Sequence, residues 1–316
     1  MVRSQDAMDK GIIGVIDIGT NSILLLIASF DRDELHTLHE EFKTVRLGER
    51  LTEDRRIHLD AIERAVGVLK EYQETCKKYS CKKIIAVGTE VFRKAKNTPE
   101  VLDILRKNCD IEVKVLSPRE EGRSSTLGAM AVLDLSRDKD YMCVDIGGGS
   151  SEIAYVKKGK ISNTLSIPMG ALKAAERFSL QPPVDDLKIK KTIDFLKRYF
   201  EDISFQKGLE MVGIGGTATT MAFMYKRLAE YDVDEINGTR LTIANIEEML
   251  KGLESMKLGK IVELTKDVGR ARIIIAGIIL ILEIMQASDT NEILISSGGL
   301  RNGIAYEYFY KMPTHS

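Results

Sequence analysis

The chain reads as an α/β protein of two related domains, and three observations carry that reading. A short apolar strand ending in Asp-x-Gly occurs twice, as Val15-Ile16-Asp17-Ile18-Gly19-Thr20-Asn21-Ser22 and as Val144-Asp145-Ile146-Gly147-Gly148-Gly149-Ser150. Each copy runs on into another apolar segment, Ile23 to Ile27 and Ile153 to Val156, so strand, glycine turn, strand is used twice, as in an internal duplication. Apolar strands then alternate with amphipathic helical patterns in both halves. At 316 residues, 44% hydrophobic and 29% charged, the chain has material for two medium cores.

The stretch from Tyr141 to Glu152 carries the chemistry: an apolar strand, the carboxylate of Asp145, three glycines, the hydroxyls of Ser150 and Ser151, and the carboxylate of Glu152. Glycines bring backbone N–H groups close to an oxyanion, while Asp145 and Glu152 suit a divalent cation or its water shell. This is a phosphate-binding pattern. A third glycine turn, Gly213-Ile214-Gly215-Gly216-Thr217-Ala218-Thr219-Thr220, follows Met211-Val212 and leads into a helix. A lone glycine cluster would be weak evidence, explained equally well as a tight turn; three at strand ends make a strong signal.

Forty-six basic and 47 acidic residues leave a net charge of -1, so no global field recruits nucleic acid or a membrane, and a polyanionic substrate must be met by local basic groups. The first ten residues are polar and lack the apolar core of a signal peptide. The longest apolar run, Ile273 to Met285, includes Glu283 and predicts a buried core helix rather than a membrane span. Cys76, Cys81, Cys109 and Cys143 form no C-x-x-C pair, and the four histidines complete no ligand set with them. A reduced, cytoplasmic protein without structural zinc is expected.

In chain order, Glu34 to Phe42 predicts a third, partly exposed strand, and Val45-Arg46-Leu47-Gly48-Glu49 a basic loop in which a solvated surface charge explains Arg46 equally well. Leu59, Ile62, Val66, Leu69 and Tyr72 recur at helical spacing. Lys83 to Glu90 reads as a buried strand whose final turn carries a capping Thr89, and a helix from Val91 brings Arg93 to a strand C-terminus, where open α/β sheets bind ligands. A helix-surface charge is the bland reading of Arg93. Ile111 to Leu116 alternates as a strand, and Ser117-Pro118-Arg119-Glu120-Glu121 opens a helix with Ser as cap and acids near its positive end. Those acids have a structural explanation, yet they lie where the first half hands over to the second, and one of them is a candidate general base.

In the second half a helix with Ile189, Ile193, Leu196, Phe200 and Ile203 on one face is core. After the third glycine turn come a helix to about Glu230, a polar connection, a helix near 243–256, the apolar helix from Gly269, the strand Glu292 to Ser296, the turn Ser297-Gly298-Gly299 and a helix carrying Arg301. The domains are expected to be 1–125 and 126–316, with the boundary near the 118–135 helix and the helix 300–316 packing back on the first domain.

Three such loops on a duplicated β-β-β-α-β-α pattern resemble the actin, sugar kinase and Hsp70-type ATPase architecture, two related domains with a cleft between them. Within it the chain resembles, essentially end to end, the exopolyphosphatase/guanosine pentaphosphate phosphohydrolase (Ppx/GppA) family. Besides the glycine loops, the match rests on Gly88-Thr89-Glu90-Val91-Phe92-Arg93-Lys94-Ala95-Lys96-Asn97, Glu120-Glu121-Gly122-Arg123 and Ser297-Gly298-Gly299-Leu300-Arg301. Sugar kinases and chaperones lack the Arg-Lys-Ala-Lys-Asn and Glu-Gly-Arg pieces.

The resemblance implies Mg²⁺-dependent (or Mn²⁺-dependent) hydrolysis of a terminal phosphoanhydride. Glu121 matches the family's catalytic glutamate, with Glu120 the alternative, and Arg93 its phosphate-binding arginine. Asp145 and Glu152 match its metal-associated carboxylates, and Asn21, Ser22, Gly148, Gly149, Ser150, Gly216 and Thr217 its phosphate-loop positions. Arg301 is expected to help grip the substrate. Departures are Arg272 where aspartate is usual, Asn237 where histidine is common and Asn302 where glutamate follows the final arginine. Longer members continue into helical C-terminal domains, so distributive cutting of short or medium chains is expected. Inorganic polyphosphate is the leading substrate and guanosine pentaphosphate the rival. A nucleotide-binding regulator and an inactive homologue are the remoter readings. No motif fixes the oligomeric state, and a homodimer stays open.

Overall fold

The computed structural model of the chain describes residues 11–311 apart from 21, 32, 33, 50, 134 and 137. It divides into two compact units, one running to Ala131 and resuming at Leu300, the other spanning Val132–Gly299. The handover falls inside the helix expected to carry it, six residues beyond the expected boundary at 125.

The first unit comprises β1 (Ile12–Ile18), β2 (Ser22–Asp31), β3 (Glu34–Thr44), α1 (Leu51–Asp54), α2 (Leu59–Lys78), β4 (Lys83–Gly88), α3 (Glu90–Lys94), α4 (Thr98–Cys109), β5 (Val113–Val115) and α5 (Pro118–Leu133), the last crossing into the second unit. Its sheet has the order β3-β2-β1-β4-β5, with β1 antiparallel to β2 and parallel to β4. The second unit contains β6 (Tyr141–Ile146), β7 (Ser151–Lys157), β8 (Lys160–Ile167), α6 (Ala171–Arg177), α7 (Asp186–Glu201), β9 (Glu210–Ile214), α8 (Gly215–Tyr225), α9 (Val233–Ile236), β10 (Arg240–Thr242), α10 (Ile243–Glu254), α11 (Leu258–Thr265), α12 (Val268–Ala287) and β11 (Glu292–Ile295). Its sheet, β10-β11-β9-β6-β7-β8, repeats the first in reverse listing and adds β10 on one edge. The duplicated α/β architecture is therefore present in the topology as well as in the motif. Helix α13 (Leu300–Lys311) returns to the first unit.

Strand alternation explains why α13 returns. Successive side chains of a strand face opposite sides, so Ile16 and Ile18 with Ile23, Leu25 and Ile27 join a core under α2 and α4. Ile13, Val15, Leu26, Ala28 and Phe30 point the other way, where Ile304, Ala305 and Phe309 of α13 cover them. The Phe30 and Phe309 rings stack at 5.4 Å. In the second unit α12 is buried without interruption from Ile274 to Met285, as the all-round apolar sequence of that stretch requires. Among the described residues no helix is long and apolar enough to cross a membrane.

Several expectations are corrected. Leu59, the first residue of α2, is 64% exposed, whereas Ala61 and Ile62 of the same turn are buried, so the buried stripe of α2 begins with them rather than with Leu59. Thr89 does not cap α3 with its side chain; its backbone N–H donates to the Ile18 carbonyl and continues the β1–β4 ladder. Helix α8 ends at Tyr225 rather than near Glu230, and the polar connection after it contains α9 and β10, too short to show a periodicity. Removing a fully buried ring leaves a cavity that rigid neighbours fill poorly, so Phe309→Ala is expected to cost roughly 3–5 kcal/mol in urea unfolding. A loss below about 1 kcal/mol would mean that α13 contributes little to holding the first sheet.

Candidate active-site groups in the two units

The two Asp-x-Gly hairpins close with the same hydrogen bond: Gly19 N–H donates to the Ser22 carbonyl at 3.0 Å, and Gly147 N–H to the Ser150 carbonyl at 2.9 Å. Each turn holds an aspartate at the end of its first strand, but the register gives the two different neighbours. Asp17 stands opposite Leu24, whereas Asp145 stands opposite Glu152. Residues directly opposite in an antiparallel pair share a sheet face and are close neighbours. The duplication thus leaves a carboxylate pair in the second unit only.

In the first unit, Arg93, the penultimate residue of the short helix α3, donates from Nη1 to both the Leu116 carbonyl (2.7 Å) and Glu121 Oε2 (2.8 Å). Leu116 is itself fixed by its N–H to the Gly88 carbonyl (2.9 Å). Glu121 is therefore held through one oxygen, and its Oε1 has no protein partner among the described residues. Glu120 is differently employed: its Oε2 accepts from Ser117 N–H and its own N–H donates to Ser117 Oγ, a capping box at the start of α5. Its Oε1 accepts from Lys114 at 2.7 Å, and these contacts, the lysine first, hold its carboxyl down at about 2. Asn97, which closes the Arg-Lys-Ala-Lys-Asn segment, accepts from Ile57 N–H and donates to its carbonyl, both at 2.9 Å, so it clamps the entry to α2.

Arg301, at the start of α13, donates from Nη1 to the Leu25 carbonyl (2.6 Å) and pairs through Nη2 with Glu40 (2.9 Å). Its guanidinium is engaged within the first unit rather than held free to grip a substrate. Arg123 likewise pairs with Glu307 of α13 at 2.8 Å. Asn21 lies outside the described residues, and Ser22 opens β2 directly after it.

Asp17 received no role from the sequence, although it occupies the position that Asp145 holds in the second copy. Its Oδ1 is enclosed without a hydrogen-bond partner. Burial pushes its pKa from 3.8 up to about 7; the positive charge of Arg301 opposes the shift and the negative charge of Glu121 adds to it. Asp17, Glu121 and Arg301 thus form one electrostatic group, which only the copy-to-copy comparison could have signalled.

In the second unit the Ser150 hydroxyl donates to Glu152 Oε1 at 2.6 Å, and the Ser166 hydroxyl reaches the same oxygen at 3.2 Å. The carbonyls of Gly147 and Gly148 accept from the N–H groups of Ala171 and Lys173, which ties the loop to the first turn of α6. Gly170 lies so close to the loop backbone that any side chain there would collide with the Gly147 carbonyl. Gly148 and Gly149 themselves are exposed. At the third turn Gly215 takes φ +74°, and a Cβ there would collide with the Asp145 carboxylate, so the start of α8 packs directly on that acid.

Gly216 lies against the guanidinium of Arg270, from the first turn of α12, a neighbour the sequence did not reveal. Thr217 is 2% exposed and its hydroxyl donates to the Ile146 carbonyl at 3.1 Å. Its side chain pins α8 to the end of β6, and only its backbone N–H remains for an anion. Asn237 holds the turn after β11 by accepting from Ser297 N–H (3.2 Å). Arg272 is exposed, and Asn302 is buried in α13.

Two adjacent carboxylates beside a hydroxyl and a glycine loop fit a hard divalent cation that takes its remaining oxygens from water and a phosphate substrate. They do not make a self-sufficient metal cage, since among the described residues no group of three His, Cys, Asp or Glu side chains is placed to hold an ion.

The two mixed sheets, each with an acidic glycine turn at the end of its central strand, define an α/β protein of two duplicated units. The sequence model of the Ppx/GppA phosphatase family matches residues 26–312, and the chain belongs to that family. It is 27% identical over 313 residues to exopolyphosphatase 2 of Mycobacterium tuberculosis, covering 93% of this chain and 97% of that one. It is also 27% identical over 297 residues to a bifunctional 3-dehydroquinate synthase/phosphatase of Fusobacterium nucleatum, covering 89% of this chain but only 44% of that protein's length. A crystal structure of the Aquifex aeolicus Ppx/GppA family member superposes with a TM-score of 0.88 at 28% identity, covering 95% of this chain and 98% of that one.

A carboxyl group whose folded-state pKa lies above its unfolded value lowers stability as pH rises between the two, here from about 3.8 to about 7, and the cost is complete above that range. Asp17→Asn is therefore expected to be more stable than the parent at pH 8, by on the order of 2 kcal/mol, with the advantage shrinking toward pH 4. Urea unfolding across that range checks it; equal stability at every pH would show that Asp17 is not strained by burial.

Proposed function

We propose that the chain hydrolyses terminal phosphoanhydride bonds with Mg²⁺ (or Mn²⁺), releasing orthophosphate from inorganic polyphosphate. The observation that carries the reading is the Arg93–Glu121 pair, which fixes one carboxylate oxygen and leaves the other open to a water molecule. A protein that only bound nucleotides would need no such oriented base. Family membership and the likeness to exopolyphosphatase 2 support the same reading.

Glu121 Oε1 accepts a proton from the attacking water, whose oxygen adds to the terminal phosphorus while the bridging P–O bond breaks. Orthophosphate leaves, and the shortened chain keeps the bridging oxygen. Asp145 and Glu152 would hold the divalent ion, which when bound neutralises phosphate charge. Ser150 orients Glu152 through its hydroxyl, while Gly148, Gly149, Gly216 and the Thr217 N–H offer backbone contacts to phosphate oxygens. Ser22 and Asn21 are assigned to the corresponding loop of the first unit. Arg301 is assigned a different part from the one first expected, setting the charge around Asp17 and holding β2 and β3 rather than gripping phosphate.

Glu121→Gln is expected to lower kcat by roughly 10²–10⁴-fold with little change in thermal stability, because it removes proton transfer but keeps the side chain's shape. Glu120→Gln is expected to keep kcat and lose some thermal stability, since it keeps the capping box but removes the negative charge that pairs with Lys114 at the start of α5. The reverse pattern would sink the assignment. Orthophosphate release from polyphosphates of defined length, guanosine pentaphosphate and ATP, side by side with Mg²⁺, tests the substrate. Polyphosphate is expected to be cut fastest; preference for the pentaphosphate would move the substrate to the alarmone, and release from none would overturn the hydrolytic reading. Asp145→Ala is expected to reduce turnover at least 10²-fold at any Mg²⁺ concentration.

A further inference from the structure

In the second unit, helices α7 and α12 end side by side, and the connection from 202 to 209 closes their ends. Together they border an open cavity of about 520 Å³ lined by Lys197, Phe200, Phe205, Lys207, Glu283 and Gln286, among others. This size is within the range of small-molecule sites. The cavity is remote from the glycine loops along the sheet: it lies beside the connection that enters β9 at Glu210, whereas Gly215 follows the opposite end of that strand. None of its residues has a part in the reaction described above.

Glu283 is the unexplained group. It stands on α12 among Ile279, Leu280 and Ile284, all buried, at a position where leucine would serve the core. The residue is 3% exposed, yet it makes no hydrogen bond or ion pair with any described residue and lines the cavity instead. Removing a carboxyl group from bulk water without giving it a partner is unfavourable, even where its oxygens still reach a cavity as these do. The charged groups facing it are Lys197 and Asp194 of α7, with Glu201 and Lys207 at the rim. Burial pushes its pKa up to about 7, Lys197 opposing and Asp194 adding. Both helices point their C-terminal ends here, where the backbone carries partial negative charge, so the site as a whole favours a cation.

We propose that this cavity binds a small organic ammonium ion, an amine whose charged head meets Glu283 and whose apolar body lies against Phe200 and Phe205. A single deep carboxylate is too few oxygens for a hard metal ion, and aromatic walls suit an organic cation better than a hydrated one. Lys197 and Lys207 at the rim disfavour a long polycation, so the ligand is a monoamine.

The test uses the full chain, ¹⁵N-labelled and titrated with 2-phenylethylammonium, with 2-phenylethanol as its uncharged analogue. Saturable shifts are expected at the amides of Phe205, Gln286 and Ala287, with the alcohol binding at least tenfold more weakly. Binding is expected to be about tenfold weaker at pH 6 than at pH 8, because Glu283 is mostly protonated at the lower pH. Glu283→Gln is expected to weaken the amine at least tenfold and leave the alcohol unchanged, and Lys197→Ala, which removes a like charge, to tighten the amine. The proposal is overturned if the amine gives no saturable shifts up to about 20 mM, a very weak affinity. It also fails if the alcohol binds as well as the amine, or if Glu283→Gln binds the amine as the parent does. Should Glu283→Gln not fold, the amine-to-alcohol ratio in the parent and in Lys197→Ala decides the matter alone.

Discussion

Each unit depends on one constraint, an antiparallel hairpin whose turn is closed by a single backbone hydrogen bond from a glycine. That bond ends the strand one residue after an aspartate, at Ile18 or Ile146, and the next strand starts on a serine, Ser22 in one copy and Ser151 in the other. Side chains alternate along a strand, so the aspartate's direction is set by the register of the apolar residues before it. Slipping the pairing by one residue would turn Val15 and Ile16, or Val144 and Cys143, to the wrong faces of their sheets. The cores on either face of each sheet therefore hold the acids in place.

The duplication is most informative where the copies differ. Leu24 opposite Asp17 makes the first hairpin apolar around its acid, and the carboxyl group is held near neutrality by burial. Glu152 opposite Asp145 makes the second hairpin doubly acidic, a pairing that is unfavourable unless hydroxyls and a cation compensate it, and Ser150 and Ser166 provide two of the hydroxyl contacts. The two loops thus differ: the first holds a buried, protonatable acid, and the second places two carboxylates opposite each other. The third turn supports the second of these, because Gly215 brings the start of α8 onto Asp145.

Asp17 and Glu283 are both carboxyl groups placed where a neutral side chain would be more stable. Such positions persist in a marginally stable fold when they serve binding or catalysis, or when the surrounding structure leaves no cheaper arrangement. Glu120, Asn97 and Thr217 are the opposite case. Each lies inside a motif that the family resemblance marks as functional, yet each completes a local backbone connection: a helix start, a loop clamp and a helix-to-strand tie.

The order of the longer strands and helices, the two acidic glycine turns and the family resemblance were legible in the sequence, because hairpins, amphipathic periodicity and turn chemistry are local in the chain, whereas short elements such as α6, α9, β10 and α11 were not. The alternation of β1 and β2 even marks two apolar faces, one of which needs a covering element. Which element covers it is decided by tertiary structure, where α13 returns from nearly three hundred residues away. The same holds for side-chain employment. Glu120 and Glu121 are neighbours in sequence, but successive helix positions point about 100° apart, so one meets Ser117 and Lys114 while the other meets Arg93. Arg301 and Thr217 were expected to meet the substrate, yet the Arg301 guanidinium is engaged by Leu25 and Glu40 and the Thr217 hydroxyl by Ile146. Sequence determined which chemistry was present; long-range packing decided which of those groups remain open to use, since a hydrogen bond to a distant carbonyl leaves no local signature.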